Sequence, residues 1–271
     1  MWKLETTDDS CQKFIIRFSQ LVGFSDSVKG SLIVPSRKGN LFHFVVKTQI
    51  NSCHWRKLPA GKGDAVRYSI GVSRNKTRTL LQMIRLAQSM ALYSASHDAI
   101  LLHAALAARD RSGILMCGGS GAGKTTASNR LPRPWNSLSD DTVFLVRDRS
   151  GFYWAYPWPT WSAYLRRKGK KITPICKPVR LGGIYFLAQA VEDELVKASP
   201  RDSIIRLMAS SEQAVHLVSQ RMPKAKRIKQ RMERFELCCD LVKSAPCFHL
   251  KVSSKGKFWE KIQQGIATTN P

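Results

Sequence analysis

Gly113-Ile114-Leu115-Met116-Cys117-Gly118-Gly119-Ser120-Gly121-Ala122-Gly123-Lys124-Thr125-Thr126 is the stretch on which the reading of the fold turns. Its first half is a short apolar run of strand character. From Gly118 to Thr125 it then matches G-x-x-x-x-G-K-[ST] at every fixed position. Strand, glycine loop and helix start, in that order, describe a P-loop. The glycines among Gly118, Gly119, Ser120, Gly121, Ala122 and Gly123 let backbone amides turn inward as an anion nest, and the helix start adds partial positive charge. Lys124 is placed to neutralise the β- and γ-phosphates of a nucleoside triphosphate. The Thr125 hydroxyl is placed to ligate Mg²⁺, and Thr126 completes the nucleotide-binding set.

Downstream, Asp140-Asp141 follows Lys124 by 16 residues, directly ahead of the apolar strand Thr142-Val143-Phe144-Leu145-Val146. A carboxylate pair at a sheet edge facing a P-loop has two chemical uses. One carboxylate holds Mg²⁺, directly or through water, and the other accepts a proton from an attacking hydroxyl. Upstream, His103 lies within Ala99–Leu106, read as one buried strand followed by a turn at 107–113. On its own a histidine there reads as a satisfied core residue or as a catalytic one.

The remaining order fits an α/β chain. Residues 1–72 carry strand-like runs at Phe14–Phe18, Leu41–Val46 and Ala65–Ile70, separated by polar turns. A helix over Lys76–Ser94 follows, with Leu80, Ile84, Ala87 and Ala91 on one face, and His97-Asp98 breaks it. Gly183–Leu187 reads as a further strand. Asp202 is placed to cap a helix over Ile204–Met208. Phe235, Cys239 and Val242 share one side of another helix, ended by Pro246. Cys247–Val252 alternates like a strand, and Trp259, Ile262 and Ile266 mark a last helix. The expected organisation is a β-rich N-terminal region with a linking helix over 1–96 and a nucleotide-binding domain over 97–271.

The chain carries 44 Lys+Arg against 19 Asp+Glu, a net charge of +25. Two basic runs, 166–171 and 221–231, read first as solvated surface, second as a docking surface for an acidic protein or peptide, and third as nucleic-acid binding. No nucleic-acid fold motif supports the third. No run reaches the roughly 20 apolar residues of a membrane helix, and the first residues show no secretory h-region, so a cytoplasmic protein is expected. Seven scattered cysteines form no CxxC pair and read as reduced thiols. The aromatic run Trp154–Trp161 reads as core packing or an unusual loop, or as a platform for stacking a peptide or adenine.

Taken together, Leu102-His103-Ala104-Ala105, the Gly113–Thr126 stretch and Leu138-Ser139-Asp140-Asp141 resemble the HPr kinase/phosphorylase-related P-loop proteins. Val179–Leu187 and the run from Phe235 through Pro246 to Leu250 resemble later parts of the same group. In size and layout the chain is most similar to members found in peptide-modification cassettes, typified by the SynChlorMet cassette protein ScmC. That resemblance implies a P-loop core of the HPr kinase and phosphoenolpyruvate carboxykinase type. It implies an ATP-dependent kinase with ATP and Mg²⁺ as cofactors, in which Asp140 is the general base toward a hydroxyl, assisted by His103 and Lys124. Thr125 and Asp141 would handle the metal. The partners it implies are a protein, peptide or small-molecule phosphoacceptor, with radical SAM and PqqD-like proteins of the cassette; self-assembly into an oligomer is open. The chain departs from the pattern at one place: no Asp or Glu occurs from 149 to 191, where HPr kinases proper place a further Glu. A nucleotide-binding scaffold without transfer, or a nucleic-acid-stimulated ATPase, are the other readings.

Overall fold

The computed structural model describes residues 2–6, 31–32, 42–50, 55–57, 66–72, 76–94, 98–158 and 178–267. The strand expected at Phe14–Phe18, the basic run 166–171 and the end of the aromatic run at Thr160-Trp161 lie outside them. Five N-terminal strands, β1 (Trp2–Thr6), β2 (Ser31–Leu32), β3 (Phe42–Ile50), β4 (Trp55–Lys57) and β5 (Val66–Val72), form one sheet in the order β2-β1-β3-β5-β4. Helix α1 (Lys76–Ser94) follows, as its apolar spacing predicts, with Ala87 and Ala91 buried. It gives way to Asp98, whose φ of 61° is a left-handed conformation that Asp tolerates better than most residues.

The second sheet is mixed. It is built from β6 (Ala99–Leu102), β7 (Ala104–Arg109), β8 (Ser112–Cys117), β9 (Asn136–Ser139), β10 (Val143–Arg147), β11 (Tyr153–Pro157), β12 (Val179–Gln189), β13 (Glu194–Lys197) and β14 (Cys247–Val252). At its centre β8 runs parallel to β12, and β12 parallel to β14. The sheet forks at β12. Val179 and Arg180 pair with β11, whereas Ile184 to Gln189 pair with β14. One wing is β6-β10-β11; the other carries β8-β7-β9.

Helices cover this sheet on both faces, and the alternation of its strands decides which face each covers. Leu115 and Cys117 of β8 and Ile184 and Phe186 of β12 point to one face. They pack there with Leu207 of α3 (Pro200–Ser219) and Leu237, Cys238 and Leu241 of α4 (Lys224–Ser244). Ile114, Met116, Tyr185 and Leu187 point to the other. They meet Ala127 of α2 (Lys124–Arg130) and Phe258 and Ile262 of α5 (Phe258–Ala267). This is an α/β fold with helices on both sides of a sheet buried on both faces, which explains why its strands read as unbroken apolar runs.

Three expectations are corrected. The run 99–106 is not one strand: it breaks at His103, and β7 continues to Arg109 before a tight turn through Asp110 into β8. Asp202 does not cap α3. Ser199 does, its Oγ accepting from the Asp202 N–H at 3.2 Å, with Pro200 opening the helix as its missing N–H allows. In α4 the core contacts come from Leu237, Cys238 and Leu241 with Val242 partly buried beside them, while Phe235 of the expected face is half exposed. Much of the aromatic run is core: Tyr156 and Trp158 are buried, and Trp158 lies 5.1 Å from the Phe144 ring.

Phe258, the first residue of α5, is fully buried against the sheet, with the Arg130 guanidinium 5.3 Å from its ring. Phe258→Ala is expected to cost about 3–5 kcal/mol through lost burial and a cavity, read as a lower urea midpoint; a loss under about 1 kcal/mol would contradict this packing.

Candidate functional site

The strand ends determine what meets what. β7 runs antiparallel to β8 with Ala104 opposite Cys117, so His103 sits beside the start of the glycine loop at Gly118. β9 pairs with β7 and ends at Ser139 opposite Leu106; β10 starts at Val143 opposite Leu102 of β6. His103, the Gly118–Thr125 loop and Asp140-Asp141 therefore share one end of the sheet. β12, parallel to β8, brings Gln189 to the same end.

His103 occupies the break between β6 and β7, where no ladder partner serves its backbone. Ser210 of α3 takes both roles: its carbonyl accepts from the His103 N–H at 3.1 Å, and its Oγ donates to the His103 carbonyl at 3.0 Å. The imidazole is mostly buried and its Nδ1 lies 3.3 Å from Asp141 Oδ1. The contact that forms thus joins His103 to the carboxylate expected to hold metal. Ser139 Oγ donates to the Thr142 carbonyl at 2.7 Å and fixes the bend that carries both aspartates.

The loop is held from within. The Lys124 Nζ donates to the Gly118 and Gly119 carbonyls at 2.8 and 3.0 Å, and its side chain is only 7% exposed. Burial lowers the pKa of this ammonium, and Cys117 and Asp141 are the groups that oppose the shift. The Cys117 thiol, pushed up to about 12 by its own burial, is uncharged at neutral pH, so Asp141 supplies the compensating charge there. Gly121 and Gly123 have φ of 80° and 90°, which a side chain would strain. An added Cβ at Gly119 or Gly121 meets nothing within 4 Å, so the loop presents open backbone to solvent. Gln189 Nε2 donates to the Gly121 carbonyl at 2.8 Å and anchors the loop tip. At the far end of α2, Arg130 donates to the Ser253 and Gly256 carbonyls, each at 2.7 Å, and secures the helix behind the loop.

Ser210, Gln189 and Arg130 were not foreseen. Each acts across more than 60 residues through a single side chain, and no local pattern marks such a residue. Asp140 is half-buried beside Asp141, and Thr125 half-buried in the first turn of α2.

Among the described residues no group of three His, Cys, Asp or Glu side chains could hold a metal. The oxygens of Thr125 and Asp141 are few, as fits Mg²⁺, which keeps waters and takes phosphate ligands. The open glycine backbone beside a buried lysine fits a triphosphate.

A protein-family model described as SynChlorMet cassette protein ScmC matches residues 68–267. The chain belongs to the ScmC family. The matched span starts within β5 and contains every site residue named above, so the loop, the His103 break and the aspartate pair lie in the shared part of this ScmC-family chain. No curated protein matches it.

Two outcomes test this geometry. Gly123→Ala is expected to cost about 1–2 kcal/mol because of its left-handed φ, measured by urea unfolding; an unchanged midpoint would show that the loop relaxes freely. Burial raises the thiols of Cys117 and Cys238 to about 12 and of Cys247 to about 11. In the native protein at pH 8, iodoacetamide is therefore expected to reach the half-buried Cys239 before any of these three, as read by mass spectrometry.

Proposed function

We propose that this ScmC-family chain is an ATP-dependent phosphotransferase, with a core of the HPr kinase type, that phosphorylates a hydroxyl on a protein, peptide or small-molecule acceptor. The observation that carries this reading is the meeting of the lysine loop, the Asp140-Asp141 bend and His103 at one sheet end, with Lys124 buried and compensated by Asp141. A phosphate cradle alone serves any nucleotide binder. A carboxylate pair and a histidine placed against it add what transfer to a hydroxyl requires.

Bound Mg²⁺–ATP supplies the phosphoryl group and much of the charge neutralisation. Lys124, which donates to two loop carbonyls, would donate to phosphate oxygens in their place, and its buried charge would stay satisfied. Asp140 would accept the proton of the acceptor hydroxyl, and Thr125 and Asp141 are the residues that would hold the metal. His103 orients Asp141 and, through Ser210, ties that carboxylate to α3. Catalysis is then positioning and electrostatics, as phosphoryl transfer requires. The family description supports work beside other proteins of a cassette, with radical SAM and PqqD-like proteins as the proposed neighbours.

A nucleotide-binding scaffold is the second reading, favoured by the absence of any carboxylate from 149 to 191. Labelled ATP with acceptors encoded beside the gene separates the two. Asp140→Asn is expected to lower transfer by about 10²–10³-fold with nucleotide binding kept; Lys124→Ala is expected to lose both. Asp141→Asn is expected to raise the Mg²⁺ requirement. Tight nucleotide binding without transfer by the wild type would establish the scaffold reading. Equal transfer by Asp140→Asn would remove the assigned base.

A further inference from the structure

From Lys224 onward the basic run that ends at Arg231 does not lie in a loop. It forms the first half of α4, a helix of 21 residues that packs on the sheet through Leu237, Cys238 and Leu241 near its other end. Lys224, Ala225, Lys226, Arg227, Ile228 and Lys229 are all exposed, so the first turns present every side to solvent. Between Lys224 and Met232 stand five cations, Lys224, Lys226, Arg227, Lys229 and Arg231, and no carboxylate. Arg231 is ion-paired with Glu212 of α3 at 2.9 Å.

Two features of this segment do nothing for the fold. First, its apolar residues are out in the water. Ile228, Met232 and Phe235 are 49%, 60% and 50% exposed, and their spacings of four and three place them in one stripe away from the packed side. Second, the helix starts with the wrong charges. Its first turn contains no acidic residue and its cap, Pro223, offers no side-chain bond, while Lys224, Lys226 and Arg227 crowd the positive end of the helix dipole. An anionic partner over this end would relieve that repulsion and cover the stripe at once.

We propose that the first half of α4 is a docking surface for an acidic amphipathic segment of a partner protein. Such a segment answers both features: its apolar residues meet Ile228, Met232 and Phe235, and its carboxylates meet the flanking Lys and Arg. A nucleic acid would neutralise the cations and leave the stripe uncovered. A continuous anionic bilayer would also meet Glu236, which is exposed further along the same helix. The inference is independent of what the glycine loop does.

The test uses the full chain without nucleotide and a fluorescent, helix-forming peptide of about 20 residues, rich in Glu with Leu every three to four positions. Fluorescence anisotropy is expected to show binding that weakens as salt rises from ~50 to ~300 mM. Ile228→Ser/Met232→Ser/Phe235→Ser and, separately, Lys226→Glu/Lys229→Glu are each expected to lower affinity at least about tenfold. All five positions are exposed, and an unchanged circular dichroism spectrum and an unchanged urea midpoint confirm that each variant is folded. The proposal is overturned if a scrambled peptide of the same composition binds equally, or if either variant keeps wild-type affinity. Tighter binding of duplex DNA or phosphatidylserine vesicles than of the peptide overturns it too, by assigning the surface to another polyanion. So does light scattering that shows a wild-type dimer broken by the stripe variant, which would assign it to a second copy.

Discussion

A strand that stops in the middle of a buried sheet leaves an N–H and a C=O with no ladder partner, and each such orphan costs about 1–3 kcal/mol. At His103 this happens by necessity, because β6 must join β10 in one wing while β7 joins β8 in the other. Ser210 satisfies both groups with its own carbonyl and hydroxyl. The rest follows from that repair. The wings can diverge, the imidazole is left at the point of divergence, and the bend between β9 and β10 delivers Asp141 to it. Helix α3 is thereby tied to the candidate site through the backbone rather than through packing alone.

Much of this was legible because its signals are local. The glycine loop has a fixed spacing, its strand is a short apolar run, and α1 has a clean period. What was hidden depends on distance. Ala99–Leu106 has no polar residue except His103, so nothing in it marks a break; the cause is the pairing of its two halves with different strands, and the serine that repairs it lies on a helix more than 100 residues later. Gln189 is one of many glutamines until β12 is laid beside β8. The cap of α3 was misplaced by a few residues because Asp202 and Ser199 are both good caps, and Pro200 was the deciding clue. In α4 a shared side was legible at Phe235, Cys239 and Val242, but which side faces the sheet is set by the sheet.

The charge surplus is handled in two ways. At the site, Lys124 is buried and compensated by Asp141 and by carbonyl oxygens of its own loop. Arg147 is likewise inside the fold, 2.9 Å from Asp240 of α4. On the first half of α4 the cations stand in water, where repulsion is screened within about 10 Å at ordinary salt. A protein can carry such a surplus at little cost to its core when most of it is solvated.

The fork at β12 has a consequence for the order in which the molecule comes into being. The three parallel strands at its centre, β8, β12 and β14, are drawn from residues 112 to 252. Parallel neighbours so far apart pair slowly, since long loops must close before any contact forms. On the ribosome, which releases the N-terminal end first, the glycine loop emerges early and waits. Its strand gains a parallel neighbour only with β12, that neighbour gains its own only with β14, and Arg130 finds Ser253 and Gly256 later still. A nascent chain lacking its last few dozen residues therefore holds the phosphate-cradle motif without the walls that shape it.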